Sequence, residues 1–236
     1  MKPDKKASEM SRAELALYID QSVLKPEFTQ DEIKKYITEG IEYGCRTVCI
    51  HPSALNIAKQ MCKGTRTDVC VVCDFPFGLS DTASKIMQAE VICVSGGVFE
   101  LDIVCNYGWI KSNMWQELGA ELKAVTDAVH KYGTAIKVIL ETDALTLDII
   151  QKATDVACNA GVDFVKSSTG FYTGGENLGA TIEVVTAMMN AAAGRCKIKG
   201  SGCIRTQEHF FTLIDMGIDR MGIGYRSTPV VLGITT

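Results

Sequence analysis

Three lysines interrupt or close apolar runs in the second half of this 236-residue chain. Lys137 lies in Ala135-Ile136-Lys137-Val138-Ile139-Leu140, Lys166 in Phe164-Val165-Lys166, and Lys199 in Lys197-Ile198-Lys199. A lysine at the end of a buried strand loses hydration, which disfavours its ammonium form. The neutral amine is then a nucleophile for carbonyl carbon. The residues that follow Lys166, Ser167-Ser168-Thr169-Gly170, offer hydroxyls and backbone N–H groups to an anion. Taken alone, such a lysine equally suits a snorkelling side chain ahead of an ordinary turn. The residues around the lysine decide between the two.

A metal ion is the other common way to polarise a carbonyl, and this sequence does not favour one. It has three histidines; His130 and His209 fall on predicted helices, and His51 stands beside Pro52. No helix carries two ligands at metal-binding spacing. No serine sits in a nucleophile-elbow pattern either. The expectation is a site without metal or cofactor.

The elements that must position the lysines alternate along the chain. Strands are predicted at 18–20, 47–50, 69–73, 99–105, 135–140, 162–165, 196–199 and 220–223. Ser11 caps a short first helix, and Thr29 with Glu32 forms a capping box ahead of Ile33, Tyr36, Ile37 and Ile41, closed by Gly44. Further helices are expected at about 53–62, 81–94, 113–131, 144–159, 178–193 and 206–216, with 225–236 as a tail. Eight strand–helix repeats joined by short turns imply a parallel sheet covered by helices. Their number and the chain length suit an α/β fold of the (β/α)8 TIM-barrel type, one domain over 1–236 with a short extra N-terminal helix. An open doubly wound sheet would want a glycine-rich fingerprint after an early strand, and none follows the first three.

In such a barrel, chemistry gathers at the C-terminal ends of the strands. Those ends carry Asp20, Cys49 with His51, Asp74, Asp102, Lys137, Lys166, Lys199, and the glycines Gly222 and Gly224. Adjacent strands lie about 4.8 Å apart, so side chains on neighbouring strands can meet over the mouth. Clustered cations disfavour one another's protonation, and Asp102 can balance the charge and relay protons. The competing reading is a buried Lys–Asp pair that merely fills the barrel.

Composition narrows the partners. A net charge of −4 gives no reason to expect nucleic acid or an anionic membrane surface. No apolar run reaches transmembrane length, and the charged opening 1–12 does not read as a signal peptide. The ten cysteines sit mostly inside apolar segments and read as reduced core residues of a cytoplasmic protein. Cys70 and Cys73 have redox spacing, but on a strand they point to opposite faces.

Four stretches match one family in order along nearly the whole chain. They are Glu100-Leu101-Asp102-Ile103-Val104-Cys105-Asn106; Ala135-Ile136-Lys137-Val138-Ile139-Leu140-Glu141-Thr142; Phe164 to Gly170; and Lys197-Ile198-Lys199-Gly200-Ser201-Gly202-Cys203-Ile204-Arg205-Thr206. The chain resembles the deoxyribose-phosphate aldolases, lysine-dependent class I aldolases on a (β/α)8 barrel. The resemblance implies that Lys166 forms a Schiff base with acetaldehyde, that Lys199 perturbs its pKa, and that Asp102 relays protons. It also implies a sugar phosphate and small aldehydes as partners, and leaves a homo-oligomer open. Candidate substrate contacts are Asp20, Cys49, Lys137, Ser168, Thr169, Gly170, Gly202, Cys203, Gly222, Gly224 and Arg226.

The departures concern the phosphate. Asp20-Gln21-Ser22 stands where the family has Asp-His-Thr, and Gly202-Cys203 replaces paired glycines. The eighth strand runs Gly222-Ile223-Gly224-Tyr225-Arg226-Ser227, with Gly224 and Tyr225 where the family carries two phosphate-binding serines. Arg226 could supply a bidentate anion contact, or Tyr225 could close the site to phosphate. The alternatives to deoxyribose 5-phosphate cleavage are therefore the same chemistry on another or unphosphorylated aldehyde, and a non-catalytic sugar-phosphate-binding barrel.

Overall fold

A computed structural model describes residues 2–234; Met1 and the last two residues of the predicted tail, 235–236, lie outside the described residues. Eight strands, β1 (Ile19–Val23), β2 (Thr47–Ile50), β3 (Asp68–Cys73), β4 (Glu100–Val104), β5 (Ala135–Ile139), β6 (Phe164–Lys166), β7 (Lys197–Ser201) and β8 (Arg220–Gly224), close into a barrel. Every pairing is parallel, including β1 with β8. Both faces of these strands are covered, so they read as near-continuous apolar runs. The exceptions are the polar residues turned into the barrel.

Ten α-helices accompany them among the described residues: α1 (Arg12–Ala16), α2 (Gln30–Tyr43), α3 (Leu55–Cys62), α4 (Thr82–Val94), α5 (Tyr107–Lys111), α6 (Trp115–His130), α7 (Leu147–Asn159), α8 (Ile182–Ala192), α9 (Gln207–Met216) and α10 (Thr228–Val231). The predicted caps hold: Ser11 and Thr29 accept from the backbone N–H groups of Glu14 and Glu32, and Thr206 accepts from that of His209. The N-terminal segment is pinned to α9, where the Ala7 N–H donates to Asp215 at 2.7 Å. No helix among the described residues is long and apolar enough to cross a membrane.

Three expectations need correction. The helix expected at 113–131 is α6, but the short α5 ahead of it, ended by Ser112 and Asn113, falls where no helix was expected. The helix expected from 178 starts only after the Thr181 cap. Its predicted first turn is instead loop: the N–H groups of Leu178 and Gly179 donate to Asp143 Oδ1 at 3.0 and 2.8 Å. Nor are all cysteines reduced. Cys158 at the end of α7 is disulfide-bonded to Cys196 just before β7, while the other eight are free and all but Cys203 are buried. Cys70 and Cys73 do face opposite ways, one sulfur toward Asp102 inside the barrel and the other toward Gln88 of α4.

Candidate active site

Register brings the charged residues together. Asp102 of β4 pairs with Lys137 of β5, and Lys166 of β6 with Lys199 of β7. Inward-facing residues on adjacent strands at matching height converge on the barrel axis. Asp102 is fully buried at the centre. Its Oδ2 accepts hydrogen bonds from Lys166 and Lys199, both at 2.8 Å, and its Oδ1 accepts from Lys137 at 2.9 Å.

The four cations are not equivalent. Lys137 lies 2.6 Å from Glu100, 2.9 Å from Asp102 and 3.5 Å from Asp20. Lys199 lies 2.5 Å from Asp20 and 2.8 Å from Asp102. Arg220, at the start of β8, lies 2.6 Å from Asp20 and 2.9 Å from Glu100. Lys166 has one carboxylate partner, Asp102, and alone of the three lysines its side chain keeps some exposure, 3% against 0% for Lys137 and Lys199. Its Nζ also lies 6.0 Å from the ring centre of Phe75. That ring packs with Phe171 over a small apolar group of Leu24, Cys49, Cys70 and Val72.

Burial alone would push Asp102 and Asp20 toward their neutral forms. The surrounding cations win, and both carboxyls are held well below the usual carboxylate range. Burial would likewise strip the protons from Lys137 and Lys199, but Asp102 and Asp20 outweigh it and both are raised above an ordinary lysine. Lys199 is therefore a fixed cation beside Lys166. The lysines do not simply repel one another, as the sequence suggested; carboxylates are threaded between them.

Several predicted substrate contacts turn out to belong to this frame. Asp20, Cys49 and Lys137 are fully buried, and their polar contacts are with the network: Asp20 accepts from Thr47, Lys199 and Arg220, and Cys49 Sγ lies 4.0 Å from Asp102. Ser168 and Thr169 are also committed. The Ser168 hydroxyl pairs with that of Thr142 at 2.9 Å, and the Thr169 hydroxyl and N–H both donate to Glu141. Burial raises the Glu141 carboxyl above its ordinary range. The hydroxyls expected to face an anion thus hold the loop.

What the mouth offers instead is backbone. Gly170 is exposed with φ of +81°, and its N–H has no partner among the described residues; nor do those of Gly202 and Cys203. Gly202 packs back to back with Gly179, where a Cβ on Gly202 would come within 2.9 Å of the Gly179 Cα. Cys203 adopts φ of +57°, the region that favours glycine, and its Sγ engages the Asn177 carbonyl at 3.0 Å. On β8, a Cβ at Gly222 would lie 2.9 Å from Ser201 Cβ, whereas Gly224 faces open space.

Tyr225 does not close the site. Its ring stacks on Tyr36 at 3.9 Å and meets Phe28 edge-on at 5.3 Å, turned toward α2. Arg226 is exposed, with its guanidinium carbon 5.3 Å from the centre of the Tyr225 ring. Gln21 also faces outward, donating to the Tyr36 carbonyl at 2.6 Å. Sequence reading missed Glu100 and Arg220 as parts of the network. Arg220 stands in register with Lys199, and that pairing was the signal to look for.

A soft cation would find Cys49, Cys70 and Asp102 with donor atoms within 4.8 Å of one another. Yet both Asp102 oxygens already accept from ammonium groups, so the chain's own cations fill that position.

Residues 14–226 match the model of the DeoC/LacD family aldolases. The chain belongs to that family. It is 40% identical over 209 residues to a deoxyribose-phosphate aldolase of Thermoanaerobacter pseudethanolicus, covering 88% of this chain and 92% of the relative. It is 38% identical over 215 residues to one from Thermococcus kodakarensis, covering 90% and 94%. Among solved structures it is similar to the tetrameric deoxyribose phosphate aldolase of Aeropyrum pernix, with a TM-score of 0.81 at 27% identity over 94% of this chain and 91% of that one.

Proposed function

We propose that this protein is a class I aldolase that reversibly cleaves 2-deoxy-D-ribose 5-phosphate to acetaldehyde and D-glyceraldehyde 3-phosphate. The observation that carries the reading is the charge balance around Lys166. Three carboxylates, Asp20, Glu100 and Asp102, face four cations, Lys137, Lys166, Lys199 and Arg220. The surplus is relieved when one lysine is neutral. Lys166 has the fewest carboxylate partners and the only lysine side chain of the set that keeps any exposure, so it is the one to serve as the amine.

The reaction follows from that assignment. The Lys166 amine adds to the C1 aldehyde of the open-chain sugar, giving a carbinolamine that loses water to an iminium. The C2–C3 bond then breaks as the C3 hydroxyl gives up its proton, and its electron pair flows into the iminium to form an enamine. Asp102, ionised and hydrogen-bonded to Lys166, is placed to pass protons through water to and from these centres. Protonation of the enamine carbon and hydrolysis release acetaldehyde and restore the lysine. Lys199 stays cationic beside the reacting nitrogen. The unpaired N–H groups of Gly170, Gly202 and Cys203, with open space at Gly224, suit the phosphate.

Retro-aldol rates on deoxyribose 5-phosphate and on deoxyribose test the substrate. A strong preference for the phosphate supports the reading; equal rates would point to an unphosphorylated aldehyde, and no turnover of either to a binding barrel. Assembly into a homo-oligomer belongs to the same reading. It is supported by the tetrameric relative and by the uncharged exposed face of α4 at Met87, Val91 and Val94. Sedimentation of the intact chain measures it.

A further inference from the structure

Glu100 and Arg220 are among the charged residues of the barrel interior that have no place in the steps above. They open β4 and β8, at the N-terminal end of the barrel, opposite the mouth. Arg220 donates to both oxygens of Glu100, at 2.9 and 3.2 Å, and to Asp20 Oδ1 at 2.6 Å. Glu100 in turn lies 2.6 Å from Lys137. The ring of Phe164 lies beside them, 5.6 Å from both Lys137 Nζ and the Arg220 guanidinium carbon. Neither Glu100 nor Arg220 contacts Lys166. Each is joined to it by an unbroken chain of ion pairs, one through Asp20, Lys199 and Asp102, the other through Lys137 and Asp102.

We propose that Glu100 and Arg220 are positioning residues that set the charge balance of the barrel interior, and through it the pH at which Lys166 becomes free to react. Opposite removals should act in opposite directions. Without the Arg220 charge, three carboxylates face three lysines, and nothing is gained by a neutral lysine. Without the Glu100 charge, two carboxylates face four cations, and the surplus doubles. A role in packing alone has no such sign: either removal would weaken the fold and leave the pH dependence where it was.

The other groups that face Lys166 do not reproduce this pattern. Asp102 on β4 and Lys199 on β7 are its direct neighbours, with Asp20 on β1 and Lys137 on β5 behind them. Cys49 on β2 approaches the Asp102 oxygen that Lys166 also bonds, Cys70 on β3 approaches the other oxygen, and Glu141 stands beyond the end of β5. All of these remain in place when Glu100 or Arg220 is changed.

The inference rests on Lys166 being the amine, so the experiment checks that first. Wild-type protein, Glu100→Gln, Arg220→Met, Arg220→Lys and the Glu100→Gln/Arg220→Met double variant are incubated with acetaldehyde across pH 5 to 10, roughly spanning carboxylate and lysine titration. The adduct is trapped with borohydride and its rate of formation read by peptide mass spectrometry. The midpoint of the profile is expected to fall for Glu100→Gln and rise for Arg220→Met, each by about one pH unit for a unit charge removed several ångströms away at an effective dielectric near 20. Arg220→Lys should follow wild type, and the double variant should return close to it. If Arg220→Met does not accumulate as folded protein, the downward shift of Glu100→Gln still decides. Superimposed midpoints in proteins that all label Lys166 would overturn this inference alone. Absence of a Lys166 adduct in wild type would overturn the aldolase reading itself.

Discussion

The molecule buries lysine against carboxylate in two places, and they differ in which charge is in excess. Between α4 and α6, fully buried Lys85 lies 2.7 Å from Glu121 and 3.7 Å from Asp74, and it donates to the Val104 carbonyl. One cation there faces two carboxylates. Inside the barrel the ratio is reversed, four cations to three carboxylates. Lys85 is a clamp. It ties the loop after β3, which carries Phe75, to the helices behind it. Lys166 stands where positive charge is in surplus, with a single carboxylate partner and, alone of the three barrel lysines, a trace of side-chain exposure. Burial of a lysine therefore says little about nucleophilicity; the local charge count and the access decide.

The largest effect should separate these two lysines. Lys166→Met is expected to lower kcat/KM for retro-aldol cleavage by on the order of 10^4-fold while the fold persists. Lys85→Met should leave catalysis within about tenfold, yet lower unfolding stability by about 3 kcal/mol, because Glu121 is left buried without its partner. Denaturant unfolding and steady-state rates measured on both proteins check the pair. Equal losses of activity would remove the distinction.

Asp102→Asn comes next. It removes the negative charge shared by three ammonium groups, and should reduce turnover by roughly 10^2- to 10^4-fold, the usual range for a lost acid–base group. Deuterium exchange into the methyl group of acetaldehyde reports the proton step separately, and should slow by a similar factor.

The barrel network also predicts an acid limit to stability. Asp20 and Asp102 titrate below their ordinary range in the folded chain. Their contribution is fully present above about pH 5, where an unfolded aspartate is largely ionised, and is lost as pH falls toward the folded values. Urea midpoints should be flat above that range on account of these two groups and decline below it. A midpoint unchanged down to pH 3 would contradict the assigned directions.

The smallest effect concerns the phosphate end. Tyr225→Ser should leave the preference for a phosphorylated sugar within about twofold, since the ring faces Tyr36 and Phe28, and cost about 1 kcal/mol of stability from lost aromatic contact. A large change in that preference would show that Tyr225 reaches the ligand.

The barrel was legible because strand–helix alternation is a property of local sequence, and so were Lys166, Lys199 and Asp102, polar residues set in apolar strands. What depended on register was not. Glu100 looked like one more acid on a strand, and Arg220 like the edge of a short one, until pairing set Arg220 beside Lys199. The hydrogen bonds of Ser168 and Thr169 were hidden for a similar reason: their partners, Thr142 and Glu141, lie more than twenty residues away. Tyr225 and Arg226 sit at a strand end, where a side chain can face either way. The aromatic pair Phe28 and Tyr36, distant in sequence, draws Tyr225 toward α2.

The most direct test of the central claim is to trap the intermediate on wild-type protein with acetaldehyde and borohydride, and to map it by peptide mass spectrometry. The account predicts a single reduced two-carbon adduct on Lys166, with Lys137, Lys199 and Lys85 unmodified. An adduct on Lys199 or Lys137 instead, or none at all, would contradict it.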